Sequence, residues 1–245
     1  MRYMVPRFMG HAVAGLELPA AHKTINPPLP DGSEMERMAA LYGALADEIA
    51  SDDDPPSVFA GDCCVILGVL AGIQRRGIDP LLVFFDAHGD FNTWDTTPSE
   101  FIGGMPLAMV TGRGDMTLAA ACGLEAVPDG DVVLVDGREL DPEEAAALRE
   151  SAVPVVPVAD VVASLPADRP IYLHVDVDVV DPTDLPAVSY PAAGGPALDQ
   201  VAEAVASIES TSQVVAFSMA MWNPALPGAE ESARATYRIA APFLP

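Results

Sequence analysis

Asp86, His88 and Asp90 stand at alternate positions just after an apolar run, Leu81 to Phe85. The run is β-favouring and is bounded by Asp79-Pro80 before and polar residues after, so it reads as a buried strand. If that strand continues briefly, alternation sends all three side chains to the same side. Two carboxylates and an imidazole there form a cage for a divalent cation. Oxygen and imidazole ligands suit manganese, iron or zinc better than a soft metal. A polar loop with a capping aspartate has the same spacing, so this stretch alone leaves two readings open. A second stretch favours the cage. Pro170 to Val175 is another apolar run, ending in Asp176-Val177-Asp178 and then Asp181-Pro182. Two unpaired carboxylates beside a buried strand are costly to desolvate, and a shared cation removes that cost.

The elements that position these groups follow from local pattern. Residues 2–5 read as a first strand, and residues 20–32 as a loop lying over the site. Ser33 with Glu36 three residues on forms a capping box. Met38, Leu41, Leu45 and Ile49 keep helical spacing until SDDDPP stops the helix. A short strand, 57–60, leads to Gly61-Asp62-Cys63-Cys64 and an apolar helix, 65–75. Another helix opens at Gly103-Gly104-Met105-Pro106. Strand 131–135 runs into a loop, 136–142, and a helix, 142–150, with Pro at its first turn and Glu143 and Glu144 at its positive end. Strands are expected at 153–158, 170–175 and 214–218, a helical turn at 160–164, and helices at 197–209 and 229–240. Strands alternate with helices throughout, which predicts an α/β domain with a mostly parallel sheet covered on both faces. Each polar cluster lies just after a strand, so the pattern converges on one crevice at the carboxyl ends of the sheet.

Composition bounds the rest. The 245 residues, 50% of them hydrophobic, are read as one domain spanning 1–245. There is no apolar run of about eighteen residues, so no membrane span is expected, and the N-terminus does not read as a secretion signal. The net charge of −24 argues against nucleic acid or anionic membrane as partner. Cys63, Cys64 and Cys122 are too few to make a disulfide framework, which fits a reducing cytoplasm.

From Ser57 to Pro224 the chain resembles the ureohydrolases, the arginase and agmatinase family. Asp86-Ala87-His88-Gly89-Asp90 resembles the family's DAHxD motif. Asp176 to Pro182 resembles its DxDxxDP motif. Gly137 to Pro142 resembles a substrate-binding loop that includes Glu139, and Asn223-Pro224 a closing NP. The resemblance implies a three-layer α/β/α fold and hydrolysis of a guanidine or amidine with manganese, one or two Mn(2+) per chain. It implies that Asp86, Asp90 and Asp176 serve one metal and Asp86, His88, Asp176 and Asp178 the other. Asp90, with His88, would be catalytic, Asp90 handling the proton passed to the leaving amine. Asn92, Thr97 and Ser99 match positions that hold a substrate carboxylate in the arginase branch, and Asp141 the position that meets the α-amino group. A guanidino amino acid is therefore the expected small-molecule partner, and by analogy the chain forms a homo-oligomer.

Three departures lie at the reacting end. Where the family has the His of GGDH, this chain has Cys63, read as a thiolate ligand, a thiol that binds nothing, or a small core residue. Gly103 replaces a proton-shuttling His, and Met221 replaces the acid that clamps the guanidinium. Met221 cannot pair with a full positive charge, whereas an N-hydroxyguanidine is less basic and needs a weaker partner. Cys63, the His88-to-Thr97 segment and Gly103-Gly104-Met105 resemble the N-omega-hydroxy-L-arginine hydrolases of D-cycloserine biosynthesis, a branch that releases hydroxyurea. The expected activity is hydrolysis of N-omega-hydroxy-L-arginine to ornithine and hydroxyurea in specialised, antibiotic-producing metabolism. Two alternatives stand beside it: hydrolysis of L-arginine or another amidine or amide, and an inactive arginase-like protein that binds metal or an amino acid.

Overall fold

The computed structural model describes residues 1–18 and 20–245. Among these, the strands are β1 (Arg2–Val5), β2 (Arg7–Phe8), β3 (His11–Ala12), β4 (Lys23–Thr24), β5 (Ser57–Ala60), β6 (Leu81–His88), β7 (Val132–Glu139), β8 (Val155–Val156), β9 (Ile171–Asp176) and β10 (Val214–Ala220). The α-helices are α1 (Glu34–Ala50), α2 (Val65–Gln74), α3 (Pro106–Val110), α4 (Thr117–Cys122), α5 (Pro142–Glu150), α6 (Val161–Ser164), α7 (Leu198–Thr211) and α8 (Ala229–Ile239).

Eight strands form one sheet in the order β4-β1-β5-β10-β9-β6-β7-β8, and every ladder in it is parallel. Alternation along β6 sorts its side chains cleanly. Leu82 and Phe84 join the core beneath α1, α2, α3 and α4, whereas Leu81, Val83 and Phe85 join the core beneath α7 and α8. Helices thus cover both faces, giving the expected three-layer α/β/α sandwich.

Local chemistry explains the first helix. Glu36 N–H donates to Ser33 Oγ at 3.2 Å, and Ser33 N–H donates back to the Glu36 carboxylate at 2.7 Å. Such a cap contributes about 1 kcal/mol. Met38, Leu41, Leu45 and Ile49 are all buried. Two glycines let α2 lie close against α1. A Cβ at Gly68 would come 2.7 Å from Tyr42 O, and one at Gly72 2.7 Å from Ile49 Cβ.

Three expectations need correction. Strand β7 does not stop at Val135 but runs through Arg138 to Glu139, with a register shift opposite Asp86 and His88. Asp136 and Gly137 both have positive φ there, 83° and 56°, so an extra residue is absorbed without ending the pairing. The strand expected at 153–158 is only Val155–Val156 at the sheet edge. The loop expected over the site does not lie there: Lys23 and Thr24 pair with Tyr3 and Met4 as the opposite edge strand.

The strand order matters for function. The path from β5 to β6 skips two places, later filled by β10 and β9. A parallel sheet opens a crevice at such a switch point. Register levels the strand ends there: Ala60 pairs with Ala220, Ala220 with Asp176, and Asp86 with Asp136.

Candidate metal centre and substrate cavity

A cavity of about 810 Å³ opens at the carboxyl ends of β5, β10, β9, β6 and β7. On its floor, ligand atoms of Asp86, His88 and Asp178 all lie within 4.8 Å of one another. His88 Nδ1 is 3.2 Å from Asp86 Oδ1 and 3.1 Å from Asp178 Oδ2. Two segments far apart in the chain meet here because β6 and β9 are neighbours, with Phe85 paired to Val175.

Backbone donors aim these carboxylates. His88 N–H donates to Asp86 Oδ1 at 2.7 Å, and Ala87 N–H to Asp178 Oδ1 at 3.3 Å. Asp178 N–H donates to Asp176 Oδ1 at 3.0 Å, so Asp176 caps the turn that carries Asp178. Arg138 braces that turn from behind. Its guanidinium pairs with Asp136 and donates to the carbonyls of Val179 at 3.0 Å and Asp178 at 3.2 Å. The sequence places Arg138 in a substrate loop; the structure turns it toward the carboxylate turn instead.

The electrostatics are those of a cage built for positive charge. Burial first, then the neighbouring Asp178 and Asp90, push the Asp86 carboxyl well above its ordinary range. Burial alone would lower the His88 imidazole, but its bonds to Asp178 and Asp86 outweigh that and push it up to about 12. A proton on His88 thus partly balances the clustered acids. Asp90 lies just beyond the strand, with φ 49°, so simple alternation does not carry it into the close group with Asp86 and His88. Its carbonyl accepts from Leu107 and Ala108 N–H at 2.9 and 3.1 Å, which holds this left-handed turn. Asp90 Oδ2 is buried without a hydrogen-bond partner. Burial raises the Asp90 carboxyl to about 7.

A divalent cation fits what is present. Three oxygen and nitrogen donor groups converge, and an orphaned carboxylate oxygen, costly to bury unpaired, belongs to the same cavity. Cys63 also lines the cavity, but its Sγ donates to Gly103 O at 3.3 Å. The neighbouring Cys64 thiol and burial together push the Cys63 thiol well above its usual value.

The remaining sequence candidates share this cavity. Asn92, Thr97, Ser99, Glu139 and Asp141 all line it. Thr97 Oγ1 and Ser99 Oγ are 3.2 Å apart. Two contributors escaped the motif reading. Glu144 is buried and accepts from Phe91 N–H at 2.8 Å and Asp141 N–H at 3.1 Å, tying the loop after β6 to the start of α5. The spacing Asp141-x-x-Glu144 before a helix was the signal for it. The other is the β2–β3 hairpin, whose Phe8, Met9 and His11 line the cavity where residues 20–32 do not. Met9 N–H donates to the buried Asp62 carboxylate at 2.9 Å, which Tyr42 also hydrogen-bonds. His22 is not among the residues lining the cavity; its Nδ1 accepts from Arg2 N–H at 3.1 Å. His174 sits in the sheet core, its ring stacked on Phe84 and its Nδ1 2.6 Å from Ser218 Oγ. No helix among the described residues is long and apolar enough to cross a membrane.

Comparison with known proteins covers nearly the whole chain. The family model described as Arginase family matches residues 20–244, a wider span than the motifs alone. N(omega)-hydroxy-L-arginine amidinohydrolase of Streptomyces lavendulae is 32% identical over 73% of this chain and 63% of its own. The arginase of Bacillus subtilis is 33% identical over 57% of this chain and 52% of its own. The matched part of the chain thus spans between half and two thirds of those relatives. The crystal structure of Entamoeba histolytica arginase in complex with L-ornithine superposes with a TM-score of 0.82, covering 99% of this chain and 96% of that one at 22% identity, a likeness of fold.

Proposed function

Because the chain belongs to the arginase family, we propose that the cavity is an amidinohydrolase site that cleaves a guanidino C–N bond of an arginine-like amino acid, with N-omega-hydroxy-L-arginine as substrate and ornithine and hydroxyurea as products. The observation that carries this reading is the convergence of Asp86, His88 and Asp178 in a cavity whose other groups suit an amino-acid head. Asp86, His88, Asp176 and Asp178 would hold manganese, and Asp90 would join Asp86 and Asp176 at a second ion. When bound, such a cation lowers the pKa of water so that hydroxide is available near neutral pH.

The chain's own residues do the rest. Asn92 and the Thr97 and Ser99 hydroxyls donate to the substrate carboxylate, and Asp141 and Glu139 face its ammonium. Asp90 accepts a proton as water adds to the guanidino carbon and returns it to the departing amine. Met221 takes the place of a clamping acid at the cavity wall and offers no counter-charge, which favours the less basic hydroxyguanidine over guanidinium.

The test is manganese stoichiometry together with turnover of L-arginine and N-omega-hydroxy-L-arginine. One metal per chain with turnover of the hydroxylated substrate alone is expected. Equal turnover of L-arginine would replace this reading with ordinary arginase activity. Metal binding without turnover of either would leave a binding protein.

A further inference from the structure

The cavity is polar at one end and apolar at the other, and the strand order sets the direction. Asn92 follows β6 and Asp141 follows β7, toward one side of the crevice. The cluster of Asp86, His88 and Asp178 stands over β6 and β9 in the middle. Met221 and Trp222 follow β10, and the β2–β3 hairpin lies beyond, linked to β5 where Gly61 N–H donates to Arg7 O at 3.1 Å. On that far side aromatic and thioether groups stand beside the polar His11, Ser189 and Asn223. Phe8 stacks on Phe101 with centroids 6.3 Å apart, Phe101 meets Tyr190 at 5.1 Å, and Met9, Met221 and Trp222 line the same cavity.

This arrangement bears on a substrate laid across it. With its amino-acid head over the hydroxyl and amide donors and its guanidine over the carboxylates, the outermost nitrogen points at the apolar end. The cavity volume, about 810 Å³, lies high in the range of roughly 300–1,000 Å³ typical of small-molecule sites.

We infer that the site accepts guanidino amino acids whose terminal nitrogen carries an uncharged apolar substituent, released as an N-substituted urea. The inference rests on the amidinohydrolase reading for its chemistry but on the apolar wall for its specificity. The step balances with water as the only co-reactant. Water oxygen joins the guanidino carbon, the bond from that carbon to the chain nitrogen breaks, and that nitrogen takes the proton. Ornithine and the substituted urea leave.

The experiment uses N-omega-propyl-L-arginine against L-arginine, with calorimetric affinity and ornithine release measured on the manganese-loaded protein. Burying the three propyl carbons against this wall should tighten binding roughly tenfold or more relative to L-arginine. In Met221→Glu, and separately in Phe101→Asn, that preference should shrink to near unity. N-omega-hydroxy-L-arginine serves as the reference substrate. If it turns over while the propyl compound binds no better than L-arginine, the apolar-substituent inference fails and the amidinohydrolase reading survives. If the propyl compound binds tightly but nothing turns over, the specificity stands and the catalytic reading fails. A preference unchanged in both variants would also overturn the inference, since the wall would not be its source.

Discussion

The Asn92 side-chain amide donates to Asp141 Oδ2 at 3.0 Å, joining the loop after β6 to the residue that starts α5. Asn92 Oδ1 in turn accepts from Thr96 Oγ1 at 3.0 Å. Asn92, Thr96 and Asp141 are therefore one hydrogen-bonded unit rather than a set of independent groups. Asn92→Ala should raise KM for a guanidino amino acid by roughly ten- to a hundredfold while changing kcat less, the pattern of a lost uniform binding contact. Steady-state kinetics checks this; a fall in kcat alone would move Asn92 into the chemical step.

Proton and cation compete for one place. With the His88 imidazole pushed to about 12 by Asp178 and Asp86, the metal-free site carries a proton near neutral pH that a metal must displace. Manganese affinity should therefore rise with pH, by about tenfold per unit for each proton released. Titration calorimetry in buffers of different ionisation enthalpy counts that proton. His88→Ala or Asp178→Ala should abolish metal binding and turnover together, and full activity in either would contradict the assignment.

Cys63 occupies the cavity wall as a hydrogen-bonded thiol. Manganese prefers imidazole to a sulfur ligand. Cys63→His should raise the metal content from one toward two per chain, measured by elemental analysis after gel filtration. Unchanged stoichiometry would mean that the nearby acids, not Cys63, limit the second ion.

His174 links pH to stability. Burial lowers its imidazole to about 3 in the folded chain, against an ordinary 6.5, and its Nε2 has no partner to receive a proton's charge. Between those values the unfolded state binds the extra proton and the folded state does not. Stability is thus fully present above pH 6.5 and is lost as pH falls toward 3. From pH 7 to pH 5 this one group should cost about 2 kcal/mol. Denaturant unfolding of the metal-free protein should show that loss, and His174→Asn, though less stable throughout, should lack that part of the slope.

Much of the candidate site was readable in the chain. Asp86, His88 and Asp178 were marked by spacing at the ends of apolar runs, and Ser33 and Glu36 by a short-range capping pattern. Those signals survive because alternation and capping act within a few residues. Asp90 was harder to place: its left-handed backbone turns it out of the alternation, a conformation set by the bonds from Leu107 and Ala108 to its carbonyl. The hairpin wall and the turn of Arg138 toward Val179 were hidden as well, because each depends on partners far along the chain.

By itself the sequence determined the alternation of strands and helices, the burial of each apolar run and the carboxylates waiting at the strand ends. Only the tertiary structure decided that β9 and β10 slot between β5 and β6, which brings Asp178 beside His88. The reason is physical. A strand covered by helices on both faces is an apolar run whatever its neighbours, so its local pattern says that it is buried and not which strand lies next to it. That choice is made by packing across the whole sheet.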